Sequence, residues 1–243
     1  MQPIAIMKYI ATIAKISTLG ILVLILFYAL NNILISEESR EIEPFHGIKI
    51  SGLVDVVLAE GPTESVKVVA DDRYINAIKT EVVDNILTVY TEGKIRLERR
   101  MDVYITYTKL DTLIVGGAST LLTTKSVVEP RLYINSNQAA ELKVKFQGDT
   151  LQLKMDQNAN VQLAGFADHL GLEITGFGDL MAYNMPVKTC QVLINGPKQS
   201  QGVARVHVTE SLSGLVKGSR LLKYMGEAEN TVVVEENGKI EKY

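Results

Sequence analysis

Between Leu113 and Val234 the chain repeats one short phrase seven times, an apolar-x-apolar strand followed by a small or polar turn, about every twenty residues. The anchors are Val115, Ile134, Met155, Ile174, Ile194, Val216 and Val234, spaced by 19, 21, 19, 20, 22 and 18 residues. Two positions earlier stand Leu113, Leu132, Leu153, Leu172, Val192, Gly214 and Val232, so Gly214 is the one break in a second apolar series. Turn residues follow each anchor, at Gly116-Gly117, Asn135-Ser136, Asp156-Gln157, Thr175-Gly176, Asn195-Gly196, Lys217-Gly218 and Glu235-Glu236. Six positions beyond the anchor the chain is apolar again at Leu121, Ala140, Val161, Leu180 and Leu222, with Ser200 the exception. A fixed period of this size marks stacked coils rather than a folded-back globule.

The physics of such a stack follows from the spacing. Each coil offers strands too short to bury an apolar face alone, but identical phases place coil on coil and join the apolar positions into one column. Equivalent strands then pair in parallel about 4.8 Å apart, and the bends fall on Gly and Asn, which tolerate positive φ. The expected fold is all-β: a single-stranded, right-handed parallel β-helix with coils of about 20 residues. A two-sheet sandwich is the alternative, and it would show antiparallel strands and a looser period. The polar tail Asn237 to Tyr243 is expected to blunt the last coil, and the first strands to cap the other end.

Residues 1–36 read differently. Ile16 to Ser36 carry no charge, and as a helix this segment reaches about 30 Å, the thickness of a bilayer's hydrocarbon layer. Lys8 and Lys15 precede it and Glu37, Glu38, Arg40, Glu41 and Glu43 follow. The positive-inside rule keeps the first residues in the cytoplasm and exports the rest. A cleaved signal peptide would need small residues one and three positions before the cut; Ala29 has Phe27 there and Ser36 has Leu34, so an uncleaved signal anchor is the expectation. No cysteine near the end of the segment supports a lipoprotein. The expected organisation is a transmembrane anchor over 1–36, an acidic linker over 37–43 and a single β domain over 44–243. Localisation follows: a single-pass cell-membrane protein whose C-terminal domain is periplasmic or extracellular.

From Phe45 to Thr108 the pattern is period two, as in Val54-Val56-Leu58, Val66-Val68-Ala70, Leu87-Val89 and Val103-Ile105-Tyr107, which marks half-buried strands. Tyr74 to Thr80 is the one place for a short helical turn. Net charge is −3, with no concentrated basic excess of the kind nucleic-acid binding requires. The single Cys190 cannot form an intramolecular disulfide and falls in step with Val192 and Ile194, which makes it a small buried hydrophobe.

The run from Phe45-His46-Gly47-Ile48 to Ser51-Gly52-Leu53-Val54-Asp55-Val56, with Glu60-Gly61 and Val66 to Asp72, resembles the opening of the putative auto-transporter adhesin, head GIN domain family. That family is a domain of unknown function found chiefly in Bacteroidetes. The likeness continues through Thr80-Glu81-Val82, Leu87-Thr88-Val89, Val161 to Gly165 with Ala167, Leu212 to Gly218 and Tyr224-Met225-Gly226, nearly everything from Pro44 onward. It implies an exported, repetitive β fold with no established catalytic residues. The chain departs from the family where Gly-Ser-Gly turns become Asn135-Ser136-Asn137 and Asp156-Gln157-Asn158.

Motifs that could carry chemistry have structural readings beside them. His46, His169 and His207 lie far apart, without metal-ligand spacing. Asp156, Asn158 and Asn160 begin a calcium loop that then fails, because Val161 stands at the glycine position and Ala167 at that of the bidentate Glu; Asx-rich turns explain them better. Gly176-Phe177-Gly178 precedes no helix and reads as a tight bend. Ser119 and Ser219 lack a partnered base, and Asp71-Asp72 and Glu235-Glu236 are expected as solvated acids. Lys154, Glu173 and Arg205 are outward in phase and expected at different coordinates. The one basic knot, Lys94, Arg96, Arg99 and Arg100, could contact anionic lipid or acidic polysaccharide, against the plainer reading of a solvated hairpin loop. No cofactor is expected. The functional expectation is a non-enzymatic, membrane-tethered envelope domain that offers a repetitive β surface for adhesion, scaffolding or ligand binding. Its partners would be the membrane through residues 16–36 and envelope polysaccharide or protein. A polysaccharide-acting enzyme and a purely structural spacer stay open beside it.

Overall fold

A computed structural model describes residues 34–93, 95, 101–197 and 202–243. Strands account for nearly all of the regular structure, and their bounds follow the alternation of the sequence. The N-terminal part holds β1 (Ile35–Arg40), β2 (Gly47–Ser51), β3 (Asp55–Glu60), β4 (Ser65–Asp71), β5 (Ile78–Val83), β6 (Ile86–Thr91) and β7 (Met101–Tyr107). The repeats form β8 (Thr112–Val115), β9 (Thr120–Thr123), β10 (Val127–Val128), β11 (Arg131–Ser136), β12 (Glu141–Met155), β13 (Asn160–Ile174), β14 (Leu180–Asn195) and β15 (Val203–Lys217). The last coil adds β16 (Leu221–Met225), β17 (Glu229–Val234) and β18 (Lys239–Lys242).

These strands wind into a β-solenoid of about 6 turns. Every pairing from β8 onward is parallel, which rules out the sandwich. One sheet runs β6, β2, β8, β11, the second halves of β12 to β15, and β17. The other runs β7, β3, β9, the first halves of β12 to β15, β16 and β18. Between them lies a column of fully buried side chains, Ile48, Leu113, Ile134, Leu153, Leu172 and Val192 from one sheet facing Val56, Leu121, Leu142, Val161, Leu180 and Leu222 from the other. Burial of each such side chain stabilises by about 1.5–3 kcal/mol, and stacking makes every coil depend on its neighbours for it.

The first strands do cap one end, by changing direction. β4 pairs antiparallel with β7 and β5 antiparallel with β6, and the expected helical turn lies between β4 and β5 at Ile75–Ala77. One expectation about the ends is corrected. Ile35 and Ser36, assigned to the membrane span, and the first residues of the acidic linker form β1, whose Arg40 donates to the carbonyls of Ile78 and Ile75 at 2.6 and 3.2 Å. The tail beyond Asn237 forms β18, which pairs in parallel with β16 and places the exposed Lys239, Glu241 and Lys242 along the last edge. The rest of the span expected over 16–36 lies outside the described residues. Among the described residues no helix is long and apolar enough to cross a membrane.

The phase of the repeat also needs one correction. Val115 pairs with Ser136, not with Ile134, and Ser136 in turn pairs with Met155. Ile134 belongs to the neighbouring column between Leu113 and Leu153. The bend likewise sits two residues later than expected, at Gln138, whose φ of 59° matches that of Gly117 (76°) and Gln157 (55°) in the coils on either side. Peptide hydrogen bonds link these bends, Ala139 N–H to Gly117 O at 3.0 Å and Asn158 N–H to Gln138 O at 2.8 Å. Ser136 is fully buried in an apolar column, and its Oγ has no hydrogen-bond partner among the described residues. Replacing it by the residue the column requires, Ser136→Val, is expected to raise the unfolding free energy by about 1 kcal/mol. A denaturant midpoint that falls instead would show that the hydroxyl is satisfied.

Candidate functional site

Because alternate residues of a strand point to opposite faces, each buried column has an outward row beside it. On the first sheet the row Tyr133, Gln152, Gly171, Gln191, Ser213 and Thr231 runs in unbroken register from β11 to β17. Next to it stand Asn135, Lys154, Glu173, Leu193, Leu215 and Val233. On the other side stand Thr150, His169, Thr189 and Ser211. Gly171 contributes no side chain, so the surface sinks there into an open groove of about 430 Å³ lined by Tyr133, Gln152, Lys154, Glu173 and Gln191 among others. A Cβ at Gly171 would meet the Gln152 amide, which reaches across the gap from the coil before. Tyr133 presents its ring at one end, 39% exposed.

The two charges in the groove wall are bound to each other. Lys154 Nζ donates to Glu173 Oε1 at 2.7 Å, and this hydrogen bond, with the attraction of the carboxylate, pushes the Lys154 ammonium above its ordinary pKa. The pair therefore sits at one coordinate on adjacent coils, contrary to the expectation that Lys154 and Glu173 lie apart; Arg205 is on the other sheet. There the outward row is Leu122, Lys143, Gln162, Met181, Arg205 and Lys223, cationic and partly apolar.

Most of the other residues that invited a chemical reading are bound up in the coils. Cys190 lies between Leu170 and Leu212 in a third column, 1% exposed, and burial pushes its thiol up to about 12, far from thiolate chemistry at neutral pH. Asp156 Oδ1 accepts from Gln157 N–H at 2.7 Å and Thr175 Oγ–H at 3.0 Å, and Asn160 Oδ1 accepts from Asp179 N–H at 2.9 Å, so the Asx residues serve the bends. Ser119 is buried and donates to the Gly116 carbonyl at 2.8 Å. The histidines are engaged locally: His46 Nδ1 with Asp111, His169 Nδ1 with Thr189 Oγ1 at 2.8 Å, and His207 Nδ1 with the Tyr183 carbonyl. Asp71 is not the solvated acid expected. It is buried and takes Arg73 Nε at 2.9 Å and Nη2 at 2.7 Å, which raises the arginine's pKa. Among the described residues no group of His, Cys, Asp and Glu is placed to hold a metal. Lys94, Arg96, Arg99 and Arg100 lie outside the described residues.

A stack of parallel coils with an apolar interior, an antiparallel cap and side chains ranked in outward rows defines the described residues as a β-solenoid domain. Residues 44–228 match the family model of the putative auto-transporter adhesin, head GIN domain, and the chain belongs to that family. The crystal structure of a putative adhesin from Bacteroides fragilis superposes with a TM-score of 0.78 at 18% identity, covering 87% of this chain and 98% of that one. A putative adhesin from Parabacteroides distasonis gives 0.68 at 19% identity, with 86% and 97% covered. A putative lipid binding protein from the same organism gives 0.66 at 16% identity, with 86% and 96% covered. At these identities the likeness is one of fold. No curated protein matches the chain.

Proposed function

We propose that the chain is a non-enzymatic, membrane-tethered envelope domain whose outward rows serve adhesion or ligand binding. The observation that carries this reading is the register of the first sheet's outer face: the same three rows recur coil after coil, which suits repeated weak contacts along one elongated partner. Related structures described as putative adhesins support it. Enzymatic groups are poorly served here. Lys154 is paired with Glu173, which favours its protonated form and works against a role as general base, and Ser119 and Cys190 are buried. The uncharged run Ile16 to Ser36 between Lys15 and Glu37 supports a single-pass anchor that exports the solenoid, although the strand pairing of Ile35 and Ser36 shortens the span at its outer end. The coils wind right-handed, as parallel crossovers do.

Protease added to intact spheroplasts is expected to digest the chain beyond Glu37. Purified full chain is expected to be retained on isolated envelope fragments while envelope glycans incubated with it stay intact. Release of shortened glycans would establish the enzyme instead. Absence of both retention and turnover would leave only a spacer.

A further inference from the structure

We propose that the groove over Gly171 is a binding site for a neutral glycan, a reading that rests on the surface-binding function above and names its ligand class. All six residues of the middle row, from Tyr133 to Thr231, are uncharged, and five of them carry side chains that donate or accept hydrogen bonds. The flanking row adds the hydroxyls of Thr150, Thr189 and Ser211 and the His169 imidazole, with Arg131 and Glu229 at its two ends. The groove's own charges, Lys154 and Glu173, are 2.7 Å apart and cancel. A row of this kind satisfies hydroxyl groups without offering net charge. Of the cations outside the groove, Arg131 stands at the end of the flanking row beyond Thr150, and Lys143, Arg205 and Lys223 are on the opposite sheet.

Shape agrees with chemistry. The exposed Tyr133 ring offers a flat apolar face at one end of the groove, against which the C–H face of a sugar ring stacks. Gly171 opens the floor, and the amides of Gln152 and Gln191 stand on the coils before and after it. Successive coils repeat about every 4.8 Å, so an elongated glycan laid across the strands meets a fresh amide or hydroxyl at each coil. Many weak contacts along one chain then add by raised effective concentration.

The full chain is titrated with uncharged hexasaccharides of glucose, galactose, mannose and N-acetylglucosamine, and with uronic-acid and sulphated hexasaccharides as controls. At least one uncharged probe is expected to bind, with an affinity that does not change between low and high salt. Tyr133→Ala is expected to weaken it about tenfold by removing the stacking face. Gly171→Thr fills the floor from a surface position and is expected to weaken it as much, and unchanged thermal midpoints for both variants show that the fold is intact. Binding confined to acidic probes and lost in salt would overturn the proposal, as would neutral binding that neither variant disturbs. If the chain is retained on envelope fragments and binds no uncharged probe, the ligand class falls and the surface-binding function stands; if it is not retained either, both fall.

Discussion

Gly214→Val, the substitution that would perfect the apolar series of the repeat, is expected to destabilise the solenoid by about 3 kcal/mol or more. In six of the seven coils this position carries Leu, Ile or Val, and Gly214 pairs with Val192 on one side and Val232 on the other. Pattern alone would treat the glycine as a gap to be filled. The backbone there has φ of 121°, outside what a β-branched residue adopts, and a Cβ would overlap the Val192 carbonyl oxygen of the preceding coil. Valine must therefore twist the strand back, and doing so breaks the parallel register to both neighbours at once. Gly171→Ala is the matched control. Its φ is not in the left-handed region and its Cβ meets only the mobile end of Gln152, so its denaturant midpoint should stay within about 0.5 kcal/mol of wild type. A Gly214→Val variant as stable as that control would show that the coil relaxes without cost.

Much of the solenoid was legible because its determinants are local and repeated. The apolar columns, the parallel stacking, the burial of Cys190 and the role of Asp156 and Asn160 in bends all follow from spacing and residue type. What spacing could not resolve was phase. A shift of two residues preserves the inside-outside alternation, so Ile134 and Ser136 are equally acceptable as anchors by pattern, and Ile134 is the more hydrophobic. Only the cross-coil register, with Ser136 between Val115 and Met155, distinguishes them. That slip conceals the groove. Counting three residues back from Ile134 places Arg131 beside Gln152, whereas counting from Ser136 places Tyr133 there, and the aromatic edge of an uncharged row becomes visible. The Lys154–Glu173 pair, by contrast, is legible in the spacing, since the two residues each stand one place before an anchor, Met155 and Ile174, whereas Arg205 has no such place. The antiparallel cap was legible only as alternation, because partner choice depends on where the hairpins turn back.

Arg220 belongs to no motif or apolar series of the sequence, yet its removal is expected to cost as much as a large core truncation. Among the described residues it is the largest fully buried side chain, 1% exposed, and it sits at the bend of the penultimate coil. Burial lowers its pKa, partly opposed by the field of Asp179, so the charge is there at a cost that its contacts must offset. Those contacts run along the stack: Nη2 donates to the Gly178 carbonyl at 2.9 Å and Nη1 to the Gly176 carbonyl at 3.3 Å. Room for the guanidinium comes from Gly202, where a Cβ would collide with it. The Gly-Phe-Gly bend and the buried arginine are thus one device, in which two backbone carbonyls turned inward by the bend find a forked donor. Arg220→Ala leaves both carbonyls and a cavity unfilled, and a loss of about 3 kcal/mol is expected from equilibrium unfolding. Arg220→Lys should recover less than half of it, because one ammonium on a flexible stem cannot span both carbonyls from a slot shaped for a planar group. Hydrogen exchange should locate the damage, with the amides around Gly176 to Asp179 exchanging faster in the alanine variant while those of β2 and β8 at the capped end keep their protection. Uniform loss of protection along the whole stack, or a lysine variant as stable as wild type, would show that charge alone, and not the fork, is what the bend requires.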